Sequence, residues 1–279
     1  MLLFLATLFL ALTAHYLLAV IRAPLSLLGG VGRASFRFAG DTGRLTLFAG
    51  SSLAGLTRPP FRFTEVVVQF EMIGARSTGV VVLSAVFTGL VLALQGHNAL
   101  VRFGSEDMVG ALVALSLTRE LAPVLAALMV TARAGSAMAA TIGNMVVTEQ
   151  VEALKSLAVD PVQYLVTPRL LATVAALPLL TGLFSLAGMG AAYLFGVFVL
   201  GLDGVAFMSN LRRSVEWSDV GMGLWKAAVF GAAVAWLSTF RGYHTTGGAR
   251  GVGRATTRAV VHSAVLILSG DYVMTALFF

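Results

Sequence analysis

Four ionisable residues lie inside long apolar stretches of this sequence: Arg119, Glu120, Lys226 and Asp271. A charged side chain costs about 2.5–3.5 kcal/mol to insert at the centre of a membrane helix, so such residues usually pair or line a polar cavity. Placement at a helix end in the headgroup layer, where an Arg-Glu pair costs little, is the alternative. Pro123 favours a functional role for Arg119 and Glu120, because a proline leaves the carbonyl four residues earlier without its helical donor.

A second candidate is the segment 148–158, TEQVEALKSLA, which is too polar to span a membrane. Its residues are predicted to form a short helix with Thr148 as N-cap and two acids in the first turn. Val151, Leu154 and either Leu157 or Ala158 share one apolar face of that helix. A helix that only covers the protein's own loops is the alternative. The residues predicted to contact a cytoplasmic partner are Thr148, Glu149, Gln150, Val151, Glu152, Leu154, Lys155 and Leu157.

Several kinds of chemistry are excluded or disfavoured by the sequence. The two lysines follow Leu154 and Trp225, so there is no Gly-Lys-Ser/Thr phosphate loop and no ATP hydrolysis by that route. Cysteine is absent and the four histidines are scattered, which argues against a thiolate nucleophile or a metal site. The glycine-rich stretch 247–253 follows no strand and is predicted to be a flexible basic loop. We therefore predict no catalytic residue, no metal and no cofactor in this chain.

The composition indicates an integral membrane protein. Of the 279 residues, 58% are hydrophobic and 11% are charged, whereas a soluble domain has roughly 25% charged residues. The apolar runs are continuous rather than alternating, which predicts an all-α protein and not a barrel. The net charge of +6 is attributed to topology and lipid headgroups rather than to nucleic-acid binding.

Five membrane spans are predicted, at about 78–94, 108–145, 164–200, 221–240 and 259–279. The second and third exceed the roughly 20 residues that a crossing needs. The second is expected either to break near Pro123 or to project beyond the membrane. For the third, Pro168 is the expected start and Pro178 the expected kink. Ala192 and Gly196 have the spacing of small residues at close helix contacts.

The distribution of arginine predicts the orientation of the spans. The segment Arg241–Arg258 has four arginines and no acid, so it should be cytoplasmic. The loops 96–107 and 201–219 have more acidic than basic residues and should face outward. Segment 145–163 is then cytoplasmic, and Arg133, near that end of its span, is interpreted as structural.

The N-terminal part is predicted to differ from the rest. Residues 1–31 form a hydrophobic extension, of which 1–21 could span or lie on the membrane. A cleaved signal peptide is the alternative, although no basic residue precedes the apolar run. Residues 32–76 are predicted to be basic helices in the headgroup layer, with arginine side chains reaching phosphates. Residues 77–279 are predicted to be the transmembrane domain.

Four ordered blocks of this sequence resemble the MlaE/YrbE family of ABC-transporter permeases: 112–139, 148–161, 168–172 and 253–279. The resemblance extends from about Gly32 to Phe279. It implies a multi-pass permease subunit in a bacterial inner membrane that moves phospholipids between inner and outer membranes. In that family, the residues matching Arg119, Glu120 and Lys226 lie at or near the lipid cavity. The segment matching 148–158 is the coupling helix.

The resemblance also implies partners, none of them a nucleic acid. These are an MlaF-like ATPase subunit that binds ATP and Mg²⁺, an MlaD-like MCE-domain protein, a possible MlaB-like STAS-domain protein, and a second permease copy in a homodimer. Two positions depart from the family pattern. Thr141 stands where glutamate is common, and Val146 where arginine is frequent, so an ionic contact near the coupling helix is expected to be absent.

Two other functions remain open from the residues. One is a proton-coupled secondary transporter in which Glu120 and Asp271 carry protons, which would need no nucleotide. The other is a non-transporting membrane scaffold for an ATPase or MCE protein. It would tolerate removal of the intramembrane charges.

Overall fold

The structure, a computed structural model, describes residues 40, 43–55 and 62–278. The chain divides into two units, Met1–Gly50 and Ser51–Phe279. The predicted extension 1–31 lies outside the described residues. Residues 43–55, here called α1, are helical. The helices of the second unit carry the candidate site and are described below.

Seven further helical elements follow α1: α2 (Phe63–Phe103), α3 (Glu106–Val147), α4 (Gln150–Ser156), α5 (Pro161–Phe198), α6 (Gly204–Ser214), α7 (Trp217–Tyr243) and α8 (Gly248–Phe278). Five of these, α2, α3, α5, α7 and α8, are long and apolar enough to cross a membrane. The predicted all-α, multi-pass membrane fold with five spans is confirmed. Residues 63–76, predicted to lie in separate interfacial helices, are the first turns of α2.

Of the two alternatives expected for the second span, a break near Pro123 or projection beyond the membrane, the structure shows the second. Helix α3 runs for 42 residues, about 63 Å at 1.5 Å per residue, and so projects well beyond a hydrocarbon core of about 30 Å. It contains two π-helical turns, Leu117–Leu121 and Thr131–Gly135, of the kind that often marks a functional site. Pro123 lies directly after the first of them, so the wider turn accommodates the proline within a continuous helix.

The glycine-rich segment 247–253 is not a flexible loop, and the last span starts earlier than predicted. Gly247 and Gly248 have positive φ angles of 87° and 62° and form the turn between α7 and α8. Helix α8 begins at Gly248. A methyl group on Gly251 would overlap the carbonyl oxygen of Thr246. These glycines therefore serve a tight turn and a close contact, which glycine permits because it has no Cβ.

The short connections alternate between two ends of the bundle, which we name for the predicted orientation. The outer end contains the α2–α3 turn at 104–105 and helix α6. Helix α6 is joined to the start of α3 by a hydrogen bond from Asn210 Nδ2 to the Asp107 carbonyl, at 2.9 Å. The cytoplasmic end contains α4 and the α7–α8 turn. The side chain of Asp203 caps α6 by accepting a hydrogen bond from the amide of Val205.

Helix α5 contains a row of small residues. Ala192 and Gly196, predicted to lie at a close helix contact, are buried, and Gly188 extends the row by one helical turn. Gly196 faces Leu202 and Phe207, whereas Gly188 approaches α2. At its closest point, a methyl group on Gly89 of α2 would overlap the carbonyl oxygen of Gly188. The two backbones are therefore in direct contact, which is how small residues allow membrane helices to associate.

We expect Gly89→Ala to lower the stability of the protein by about 1–3 kcal/mol, because the added methyl group meets backbone that cannot move aside. Thermal unfolding of the purified protein in detergent measures the effect. Gly79→Ala on the same helix is the control, since nothing lies within 4 Å of its added methyl group. Equal unfolding temperatures for the two variants would contradict the close contact.

Candidate functional site

Lys226 is the centre of the candidate site. It lies on α7, and its side chain is fully buried, with 0% exposure. Its ammonium is 2.8 Å from Glu120 Oε2 on α3 and 3.1 Å from Asp271 Oδ1 on α8. The same nitrogen is 2.7 Å from Thr275 Oγ1 and 3.1 Å from the carbonyl oxygen of Arg119. Three spans therefore meet at one ammonium group, whose three N–H donors have four acceptors within reach.

The Arg119 carbonyl is the acceptor that Pro123 deprives of its helical donor. Lys226 donates to it from another helix, and the π-helical turn Leu117–Leu121 contains the residue. The proline therefore creates an acceptor for the buried ammonium. The hydrogen bond from Lys226 to the Arg119 carbonyl thus connects Pro123, the π-helical turn and the charged residues of this part of α3.

The side chain of Arg119 forms a second ion pair, with Asp219 at the start of α7. The distance from Nε to Oδ1 is 2.7 Å, and the side chains are 34% and 3% exposed. Asp219 Oδ2 also accepts a hydrogen bond from the amide of Glu216 at 3.0 Å, as part of a capping box. The carboxylate thus fixes both the helix start and the orientation of Arg119.

Asp219 was missed in the sequence because it was counted as an acid of an outward-facing loop. A signal for it exists: Glu216 and Asp219 are three residues apart, the spacing of a capping box at a helix start. Thr275 was also missed. Its hydroxyl lies 3.1 Å from Glu120 Oε2 and accepts from Lys226. A threonine in an apolar helix gives no comparable signal.

The charges of the cluster determine what it can do. Arg119 and Asp219 compensate each other, which leaves the one ammonium of Lys226 against the two carboxyl groups of Glu120 and Asp271. Buried charges of this kind are stable only when they are paired and hydrogen-bonded. The cluster therefore links α3, α7 and α8. Cationic surface is offered by Arg119, which is 34% exposed, and not by Lys226.

The structure contains an apolar cavity of about 380 Å³. Some of its lining residues on α3 and α7 are close neighbours in sequence of the residues in the ion cluster. Its wall includes Thr118, Thr181, Leu186, Met189, Arg212 and Gly223. The hydroxyl oxygens of Thr118 and Thr181 are buried and have no hydrogen-bond partner among the described residues. A methyl group on Gly223 would overlap the carbonyl oxygen of Thr118, so α3 and α7 are in backbone contact here. We call this space the outer cavity.

The short helix predicted in segment 148–158 is present, but it is shorter than predicted. Helix α4 comprises Gln150–Ser156, and Thr148 is not its N-cap. The Thr148 hydroxyl instead donates to the carbonyl of Asn144 at the end of α3, at 2.9 Å. Glu149 occupies the cap position with a left-handed φ of 61°, and its side chain makes no capping hydrogen bond within the described residues. The left-handed backbone at Glu149 makes the turn from α3 into α4, and this turn takes the place of the predicted Thr148 cap.

The apolar face of α4 is divided between the protein and its surroundings. Val151 is buried at 4% exposure, whereas Leu157, just beyond the helix, is 74% exposed. On the polar side, Lys155 and Glu152 form an ion pair at 2.8 Å. This hydrogen bond raises the pKa of Lys155 above its ordinary value. The start of the segment therefore packs on the helix bundle through Val151, whereas its end exposes the apolar side chain of Leu157.

Fold and site together define a multi-pass helical membrane protein with a buried ion cluster joining three spans. The family model described as "Permease MlaE" matches residues 66–277. A Rickettsia felis protein described as "Probable ABC transporter permease protein" is 42% identical over 255 residues, 91% of this chain and 98% of that protein. The chain belongs to the MlaE permease family.

Two further relatives extend the comparison. The "Intermembrane phospholipid transport system permease protein MlaE" of Haemophilus influenzae is 39% identical over 253 residues, 90% of this chain and 97% of that protein. "Protein TRIGALACTOSYLDIACYLGLYCEROL 1, chloroplastic" of Arabidopsis thaliana is 36% identical over 233 residues, 84% of this chain and 67% of that protein. The similarity to both covers most of this chain.

Proposed function

We propose that this chain is the permease subunit of an ABC-type transporter that moves phospholipids between the inner and outer membranes of a bacterium. Membership of the MlaE family and the similarity to the intermembrane phospholipid transport permease of Haemophilus influenzae support this function. The permease lies in the inner membrane and has no enzymatic activity of its own. ATP and Mg²⁺ bind to a separate MlaF-like ATPase at the cytoplasmic end, and this chain holds no cofactor.

The proposed complex contains a second permease copy, forming a homodimer, and an MlaD-like MCE-domain protein at the outer end. An MlaB-like STAS-domain protein on the ATPase is a further proposed partner. The lipid passes from the permease to the MCE-domain protein. These assignments rest on family membership alone.

The observation that carries the proposal is the outer cavity next to the ion cluster. A phospholipid has apolar chains and a charged phosphate, and the outer cavity combines an apolar wall with Arg212 at its lining. Arg119, next to Thr118 in the wall, has a side chain that is 34% exposed, and we propose that it meets the phosphate. We assign phosphate contact to Arg119 and local charge to Glu120. Lys226, being fully buried, positions both of them.

Helix α3 provides the proposed route from the ATPase to this site. The segment 148–158 follows α3 directly, and Glu120 lies on the same continuous helix. About 27 residues separate Glu120 from Val147, roughly 40 Å at 1.5 Å per residue. When the ATPase closes on the coupling segment, α3 moves as a lever and changes the outer cavity.

Arg119→Ala is expected to reduce co-purified phospholipid by about tenfold, because a hydrogen bond between charged groups contributes roughly 1.5–3 kcal/mol. Glu120→Ala and Lys226→Ala should also change lipid content and lipid-stimulated ATPase activity of the complex reconstituted with its ATPase. Arg102→Ala, at an exposed residue of the outer end, is the matched control. Unchanged values for all three site variants would remove the assignment, and transport without nucleotide would favour proton coupling.

A further inference from the structure

A second cavity contains three arginines, one from each of three helices. It has a volume of about 200 Å³, and its wall includes Arg76 of α2, Arg133 of α3 and Arg169 of α5. We call it the arginine pocket. It shares no lining residue with the outer cavity and plays no part in the function proposed above.

The three arginines lie at similar distances along their helices from the outer end. Each is about 27–29 residues from the outer end of its own helix, which corresponds to roughly 40 Å. Since the hydrocarbon core is about 30 Å thick, they reach the headgroup layer of the cytoplasmic leaflet. Phosphate groups of lipids are therefore the anions most concentrated at this depth.

Neutral groups, not acids, hold two of the arginines in place. Arg133 Nη1 donates to the Met72 carbonyl at 3.1 Å and to Ser77 Oγ at 3.0 Å. Arg169 is only 9% exposed, and its Nη1 donates to the Leu165 carbonyl. Carbonyl and hydroxyl groups satisfy individual N–H donors but leave the positive charge uncompensated, and a guanidinium has five such donors.

The pocket wall contains no carboxylate among the described residues. Glu65 interacts electrostatically with Arg169 but forms no ion pair with it within the part of the chain that the structure describes. Arg76 is exposed at the rim. Three guanidinium groups surround a small cavity whose described wall has no carboxylate, so they attract an anion. Arginine also binds a phosphate well because it can donate two parallel hydrogen bonds to it.

The rest of the wall distinguishes a lipid from a free anion. It consists of neutral polar and apolar residues: Gln69, Met72, Ile73, Ala134, Ala137, Met138 and Thr141. An apolar surface beside a phosphate site suits the glycerol and upper acyl chains of a lipid. We propose that the arginine pocket binds the phosphate of an anionic lipid of the cytoplasmic leaflet, of the phosphatidylglycerol or cardiolipin type. Basic pockets between membrane helices are known to take such headgroups.

The bound lipid compensates the three arginines and thereby stabilises the packing of α2, α3 and α5. The test uses the full-length protein in nanodiscs of phosphatidylcholine with increasing phosphatidylglycerol. We expect the unfolding temperature to rise with the fraction of phosphatidylglycerol and to saturate. Arg76→Gln, which removes the exposed arginine, and Thr141→Glu, which adds a carboxylate to the wall, should each raise the half-saturating fraction about tenfold or more.

Arg102→Gln removes an arginine at the outer end and is the matched control, with a half-saturating fraction like that of the native protein. Inorganic phosphate added to pure phosphatidylcholine nanodiscs should give no stabilisation. If phosphate alone reproduces the effect, the site binds free anions and the lipid assignment is overturned. If Arg76→Gln and Thr141→Glu respond to phosphatidylglycerol like the native protein, the pocket assignment is overturned.

Discussion

Lys226→Met is expected to destabilise the protein by about 3 kcal/mol, because it leaves the carboxyl groups of Glu120 and Asp271 facing each other without the ammonium between them. Methionine has a similar length, so lost volume contributes little. For a chain of this size, thermal unfolding in detergent should show a decrease of roughly 6–12 °C. Lys155→Met, at the other lysine of the chain, should change little because its ion pair is exposed.

A triple variant separates charge from packing. Lys226→Met combined with Glu120→Gln and Asp271→Asn removes all three charges, and most of the lost stability should return, because neutral amides need no counterion. Its lipid content and transport should remain impaired. A triple variant as unstable as Lys226→Met alone would show that the lysine acts through packing, and the ion cluster would lose its assigned role.

Leu157→Asp is expected to weaken binding of the partner ATPase by about 30-fold or more, a loss of roughly 2 kcal/mol that is typical of a central interface residue. The unfolding temperature of the permease should not change, because Leu157 is 74% exposed in the protein alone. The measurement is the affinity of the purified ATPase for the permease in nanodiscs.

Two variants provide contrast for this experiment. Phe103→Asp changes a residue that is 80% exposed at the opposite, outer end, and it should leave ATPase affinity unchanged. Val151→Asp introduces a charge at a residue that is 4% exposed, and it should lower the unfolding temperature. ATPase binding that survives Leu157→Asp would place the docking surface elsewhere.

Much of the fold was predictable because membrane insertion imposes simple rules. The five spans follow from apolar length, and the charged residues within them were identified by their insertion cost. The pairing of these charges was not predictable. Lys226 is 106 residues from Glu120 and 45 from Asp271, and no local pattern shows which acid will face which base.

Predictions of where helices break and begin were less accurate, because contacts outside the local sequence pattern stabilise the helix at these points. A break of α3 near Pro123 was one of the two expected alternatives, but a π-helical turn and the ammonium of Lys226 accommodate the proline. Asp219 was assigned to a loop because charged residues obscured the start of α7, and the capping box with Glu216 extends that helix to Trp217. A contact from another helix keeps α3 continuous at the proline, and the capping box sets the start of α7.

The buried ammonium also has a consequence for how the protein is made. Glu120 leaves the ribosome 106 residues before Lys226, which at about 5–20 residues per second is a delay of roughly 5–20 s. Throughout this interval the carboxyl group of Glu120 has no ammonium partner, because Lys226 has not been synthesised. The ion cluster can form only after α7 and then α8 have been made, so the charge on the second span is compensated last.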